Sequence, residues 1–287
     1  MFDIRALSPG FGAEISGIDL SRDLDDATFR SLAQAFLDHS VLLLRGQRMS
    51  DSRHVAFSRR FGELEVHVLK EYLHPGHPEL YRLSNIVENG KRLGIADAGN
   101  YWHTDLSYTK VPSRGSIMLA HRVPQRDGRP LGDTSFCSTA EAYDSLADDL
   151  KRRIDGLNAV HRFWDRFFAE RRKAGEEVRI SAERLAQTPD VVHPLVKTHP
   201  LSGRRCLFVN EGFTISIVGL PQSESRELLQ TLFEHCGRAA NVYRHSWQVG
   251  DVVMWDNWAT QHRLNVDYTP ADPRFMQRTT LVGSPEF

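Results

Sequence analysis

Cysteine is scarce in this sequence, and neither sign of charge is in excess. The three cysteines, Cys137, Cys206 and Cys236, are odd in number and widely scattered. They suggest neither a disulfide framework nor a cysteine-based zinc site, and the expected setting is a reducing cytoplasm. A formal net charge of -1 gives no electrostatic case for nucleic acid or an anionic membrane. No apolar run approaches the ~20 residues that a membrane helix needs. The opening Met1-Phe2-Asp3-Ile4-Arg5 has no secretory-signal character. Internal repeats, low-complexity stretches and obvious linkers are also missing. What is left is ordinary globular composition, 40% hydrophobic and 25% charged. It is expected to form one domain over residues 1–287.

The pattern along the chain is mostly β. Residues 2–20 read as short strands. Asp25-Asp26 and Ser50 each read as an N-cap, the first before Phe29, Leu32, Ala33 and Phe36 at helical spacing. Val41–Leu44 is an apolar run of strand length. Residues 63–98 are turn-rich, apart from a strand expected at Leu80–Ile86. Ser138 with Glu141 is a capping-box pattern, expected to open a helix through Leu150. Residues 151–190 are charged and low in β-branched side chains, which suggests a solvated helical insertion resembling a lid. Strand signals return from Val191 to Val282, interrupted by a helix carrying Leu228, Leu229, Leu232 and Phe233. Many short strands with frequent turns argue for a sandwich or barrel with helices outside.

The chemistry is expected around Asn100-Tyr101-Trp102-His103-Thr104-Asp105, read as a strand after the Gly99 turn. Side chains two apart on a strand share a side, so His103 and Asp105 would converge. They supply two thirds of a 2-His-1-carboxylate set, which holds Fe(II) on one face and leaves the other open. His262, after the apolar run Val252–Trp255, is the third candidate. Arg274 and Arg278 lie four apart on the expected last strand. Two arginines turned inward are costly unless each meets an anion, and guanidinium is well shaped to grip a carboxylate. His67, Lys70, His74 and His77 fall in the turn-rich stretch, where substrate contacts concentrate.

These residues, in order and spacing, resemble the taurine dioxygenase family, which includes the 2,4-dichlorophenoxyacetate dioxygenases. The motifs are His103-x-Asp105, Gly132-Asp133-Thr134, Asn210-Glu211-Gly212-Phe213-Thr214, Trp255-Asp256-Asn257 with Gln261-His262, and Arg274-x-x-x-Arg278. The resemblance runs from about Ile4 to Gly283. It implies a double-stranded β-helix (jelly roll) and a dioxygenase using Fe(II), 2-oxoglutarate and O2. By position it implies His103, Asp105 and His262 at the iron, and Thr134 and Arg274 at the distal carboxylate of 2-oxoglutarate. Arg278, His67 and Phe213 would meet a small anionic substrate. Lys70 and Gly99 stand where the taurine enzyme has a tyrosine and an asparagine near its substrate, and Ser216 replaces an arginine. Taurine, another sulfonate or a related carboxylate are therefore all open, as are aryl-ether cleavage and oxidation of an N-substituted amino acid. Asp105 disfavours halogenation. A zinc hydrolase or a catalytically silent 2-oxoglutarate-binding jelly roll are the readings outside this class. A homodimer or homotetramer is expected from the resemblance alone.

Overall fold

The computed structural model of the chain describes residues 2–96, 99–173, 175, 177 and 179–285. Its frame is an eight-stranded sheet. Along the chain come first β1 (Asp3–Ala6), β2 (Ala13–Ser16), β3 (Val41–Leu44), β4 (Leu73–His74), β5 (His77–Ser84) and β6 (Gly115–Arg122). After these come β7 (Thr134–Ser138), β8 (Asn158–His161), β9 (Val191–Pro194), β10 (Thr214–Ile217) and β11 (Val242–His245). Last are β12 (Val252–Asp256), β13 (Thr260–Leu264) and β14 (Phe275–Leu281). The large sheet runs β1-β2-β3-β12-β6-β14-β5-β4, and a smaller one runs β11-β7-β13. Together they make the jelly roll that the family resemblance implied, within the sandwich or barrel class that the short strands argued for.

The continuous apolar runs are explained by burial on both faces. Leu42 and Leu44 of β3, and Val252 and Met254 of β12, pack toward Leu32, Phe36 and Phe57. Those three belong to helices α1 (Asp26–His39) and α2 (Asp51–Arg59). The alternate residues Val41, Leu43, Val253 and Trp255 join Phe136 and Trp247 in the core between the sheets. The expected caps form: the carboxylate of Asp25 accepts from Thr28 N, and Ser50 Oγ accepts from Arg53 N.

Three expectations need correction. Ser138 does cap a helix, accepting from Glu141 N, but α3 (Thr139–Asp144) ends six residues later. Its successor α4 (Asp148–Ile154) is a separate helix. The Asn100–Asp105 stretch is not a strand; its only ladder contact is an isolated bridge between His103 and His262. The chain turns away at once, with Leu106 at φ 55° and Ser113 Oγ donating to the Asp105 carbonyl. Finally, the 151–190 segment is not wholly helical. It contains α5 (Trp164–Lys173) and α6 (Ala182–Ala186), but also β8, which pairs with β9 and β10. Ala159 and His161 point inward from β8 and are fully buried, so tertiary pairing overrides the charged local composition.

Candidate active site

His103 and His262 sit opposite one another, their backbones exchanging hydrogen bonds of 3.1 and 2.9 Å. That bridge brings the two imidazoles to a centroid distance of 4.2 Å. Asp105 follows two residues on. Its Oδ1 lies 3.8 Å from His103 Nε2, and its Oδ2 lies 3.9 Å from His262 Nε2. One ligand atom from each residue can be chosen with all three within 4.8 Å of one another, and all three residues are buried. Adjacent ligands of an octahedral ion, each about 2.1 Å from it, stand roughly 3 Å apart. The set therefore fits a cation after a small closure of side chains.

Their protonation suits that role. His103 Nδ1 lies 2.9 Å from the Tyr101 carbonyl, which must accept from it. Nδ1 then carries the proton and Nε2 presents its lone pair inward. Burial is the main cause lowering the pKa of both histidines, partly offset for each by Asp105. Burial alone would push the Asp105 carboxyl up. Arg278, then His262 and His103, outweigh it and hold the group well below the usual carboxylate range.

Several sequence motifs prove to be the brackets of this set. Ser116 Oγ donates to Asp105 Oδ2 at 2.9 Å. Ser113, whose hydroxyl donates to the Asp105 carbonyl, itself accepts from Asn257 Nδ2 at 2.9 Å, and Trp255 Nε1 donates to Asn257 Oδ1. The Trp-Asp-Asn run is thus a support for Asp105. Gln261 Nε2 donates to the Val209 carbonyl, and Asn210 Oδ1 accepts from Phe213 N. These bonds fix the Asn210–Thr214 turn against the histidines. Two glycines leave the necessary room. A Cβ on Gly99, at φ 81°, would lie 2.6 Å from His103 Cε1. One on Gly212 would lie 2.5 Å from Tyr101 Cε2.

One cavity gathers nearly all the expected site residues: His103, Asp105, His262, Thr134, Arg274, Arg278, His67, Phe213 and Gly99. Arg274 is only 4% exposed, and burial lowers its pKa. Its Nε has no hydrogen-bond partner, and the Tyr268 side chain, which hydrogen-bonds the guanidinium, partly offsets the cost of burial. Thr134 Oγ1 accepts from Trp247 Nε1 at 3.0 Å, so its own hydrogen is available to the cavity. His67 stacks on Tyr81 at 4.3 Å, and its Nδ1 accepts from Leu69 N. Burial, then Arg278, pushes its pKa down to about 3. Phe213 stands edge-on to His103.

Two placements differ from expectation. Lys70 is exposed on a short 3-10 turn, Lys70–Tyr72, and does not line the cavity. That turn aims it at solvent while its neighbour Leu69 takes the inward position. Arg278 is inside but is not a bare substrate group: its Nη1 donates to Asp105 Oδ1 at 2.6 Å. The sequence reading also missed most of the apolar wall. Tyr81, Tyr108, Phe163 and Phe167 line the cavity, joined by Glu170 and Arg171 of α5. The available signal was Phe163, Trp164, Phe167 and Phe168, an aromatic stripe at helical spacing inside an otherwise charged segment.

The chain is similar to known proteins in both sequence and fold. A family model described as taurine catabolism dioxygenase TauD, TfdA family, matches residues 3–280. The alpha-ketoglutarate-dependent 2,4-dichlorophenoxyacetate dioxygenase of Cupriavidus pinatubonensis is 38% identical over 268 residues, 90% of each chain. The alpha-ketoglutarate-dependent sulfate ester dioxygenase of Pseudomonas putida is 33% identical, over 98% of this chain and 89% of the relative. The crystal structure of a taurine dioxygenase from Burkholderia xenovorans matches with a TM-score of 0.80 at 33% identity, covering 99% of this chain and 90% of that one. With its His-Asp-His cluster lodged in this jelly roll, the chain belongs to the taurine catabolism dioxygenase family and is a dioxygenase that uses Fe(II), 2-oxoglutarate and O2.

Proposed function

We propose that this enzyme hydroxylates an organic anion whose body is apolar and about the size of an aromatic ring. In this reading His103, Asp105 and His262 hold Fe(II). Arg274 and Thr134 take the distal carboxylate of 2-oxoglutarate. The observation that carries it is Arg274: a buried guanidinium with an unpartnered Nε, in the same cavity as three convergent ligands. A buried cation is costly until an anion meets it, and a dicarboxylate brings one at the right end.

When bound, iron and 2-oxoglutarate supply the oxidant: O2 converts the keto acid to succinate and CO2 while one oxygen atom enters a substrate C–H bond. The chain's own residues supply the rest. Neutral His103 and His262 and ionised Asp105 present a ready donor set. Thr134 donates its hydroxyl hydrogen toward the co-substrate's carboxylate. Leu106, Tyr108, Phe163 and Phe213 form one apolar cluster beside the metal ligands, which excludes water and orients the substrate's body.

Charge supports an anionic substrate. With both histidines neutral, Asp105, Arg274 and Arg278 sum to one positive charge. Fe(II) raises this to three, and a 2-oxoglutarate dianion returns it to one, which a singly charged substrate cancels. The aromatic wall favours an aryl carboxylate or sulfate over taurine, whose two-carbon body would leave those rings largely uncovered. Cleavage of an aryl ether follows if the hydroxylated carbon bears the ether oxygen, because the resulting hemiacetal collapses. Helix α5 is read here as lid-like, since Phe167, Glu170 and Arg171 reach the cavity from it. A cytoplasmic setting fits three free, buried cysteines. A dimer or tetramer fits the exposed Val192, Ile215 and Val218 on and beside the β9-β8-β10 sheet.

The test is succinate release with Fe(II), ascorbate and 2-oxoglutarate across phenoxy acids, aryl and alkyl sulfates, N-substituted amino acids and taurine. Aryl anions should exceed taurine, and His103→Ala should abolish release with every substrate. Turnover sustained by Zn(II) without 2-oxoglutarate would instead establish a hydrolase.

A further inference from the structure

Arg278 stands between two functions. On one side Nη1 donates to Asp105 Oδ1 at 2.6 Å, and both side chains are 7% exposed. On the other, Nε is buried with no hydrogen-bond partner, and the residue lines the cavity beside Tyr81, whose ring centroid is 5.6 Å from Cζ. Guanidinium is rigid and planar, so a contact on one edge fixes where the other edge points.

The pairing has an electrostatic consequence. Asp105 brings the only negative charge among the three metal ligands, and Arg278 cancels it. A cation entering the cluster meets two neutral imidazoles and a carboxylate whose charge is already matched, with a guanidinium close behind. A substrate anion on the free edge of Arg278 neutralises that guanidinium in turn, and Asp105 again acts as an uncompensated carboxylate toward the metal. We propose that Arg278 is an electrostatic coupler: it weakens the hold of Asp105 on the metal until an anionic substrate occupies its other edge. Metal and substrate then strengthen one another's binding. This rests on the proposed reading in one respect, that the substrate is an anion placed at Arg278.

Thermodynamic linkage makes the coupling reciprocal: the factor by which substrate tightens metal equals that by which metal tightens substrate. Ser116 on Asp105 Oδ2 keeps the carboxylate oriented whatever Arg278 does. Loss of Arg278 therefore need not disorder the ligand, which separates an electrostatic role from a merely structural one.

The experiment is anaerobic titration of the full chain with Mn(II), a redox-quiet stand-in for Fe(II), with 2-oxoglutarate present. Bound metal is read by electron paramagnetic resonance, with and without phenoxyacetate, whose own binding is followed by equilibrium dialysis. In the unmodified protein phenoxyacetate should lower the Mn(II) Kd about 10-fold, within the usual range of coupling. Arg278→Gln should bind Mn(II) as tightly without phenoxyacetate as the unmodified protein does with it, and should no longer respond to it. Arg278→Lys keeps the charge but loses the second edge, so it should bind Mn(II) weakly in both conditions. Weaker Mn(II) binding by a folded Arg278→Gln would overturn the proposal, since it would make Arg278 a simple prop. So would an unchanged Mn(II) Kd while phenoxyacetate is demonstrably bound. If phenoxyacetate fails to bind at all, the aryl-anion reading fails, and the substrate-free comparison of the two Mn(II) constants still decides the coupler.

Discussion

The two walls of the cavity are built differently. The metal wall comes from paired backbone: His262 lies on β13, Thr134 on β7, and His103 is bridged to His262. His262 is set within its sheet and His103 by the bridge to it, while Asp105 is held by hydrogen bonds from Ser116 and Arg278. The opposite wall comes from a loop, from the Asn210–Thr214 turn and from α5, and it is held largely by ring contacts such as Tyr108 with Phe213 at 4.7 Å. Ring contacts tolerate rearrangement better than paired backbone does. One half of the site can therefore stay fixed to its chemistry while the other is refitted to a different substrate.

The comparison can be broken first at Gly99. A methyl group there would overlap the His103 ring and force a positive φ on a residue with a side chain. Gly99→Ala should weaken metal binding by roughly 10- to 100-fold, the usual loss when the support of a ligand fails. Calorimetric titration with Mn(II) measures it, and unchanged affinity would mean that the ring is not held where it appears. Next in size is Arg274→Gln. A charge-assisted hydrogen bond is worth about 1.5–3 kcal/mol, so KM for 2-oxoglutarate should rise by roughly 10- to 100-fold. The KM for the aryl substrate should move far less. The reverse split would exchange the roles of Arg274 and Arg278.

On the soft wall the effects should be smaller and confined to the substrate. Removing the Phe167 ring costs aromatic contact of about 0.5–1.5 kcal/mol, so Phe167→Ala should raise the aryl substrate's KM by roughly 2- to 10-fold. Metal and 2-oxoglutarate binding should be unaltered. A comparable loss of metal affinity would show that the walls are one unit.

The last expected effect concerns stability rather than the site. Burial pushes His54 down to about 4 and, together with His193 and Lys197, pushes His161 down to about 3. Unfolded histidine titrates near 6.5, so below that pH the unfolded chain binds protons that the folded one refuses. Stability should be full above pH ~6.5 and fall as pH drops toward 4, by at most about 1.4 kcal/mol per unit for each histidine. Melting temperature against pH checks it; a profile that His54→Gln leaves just as steep removes His54 from the account.

The same division governs what could be read from the sequence. Val41–Leu44 and Val252–Trp255 are legible because strands buried on both faces require continuous apolar runs. Asp25, Ser50 and Ser138 are legible because caps act within three residues. The clustering of His103, Asp105 and His262 is legible from residue type and order, even though Asn100–Asp105 is not a strand. The failures are long-range. Nothing local tells that Asn158–His161 pairs with two distant strands, that Lys70 turns outward beside Leu69, or that Arg278 meets a carboxylate 173 positions away.

Anaerobic Fe(II) titration of the unmodified protein and of His103→Ala, each followed by 2-oxoglutarate, tests the central claim most directly. Convergence of positions 103, 105 and 262 on one ion predicts one Fe(II) per chain. It also predicts that 2-oxoglutarate binds strongly only after iron, and that both events are lost in the variant. One tightly bound Fe(II) per chain in folded His103→Ala would contradict it.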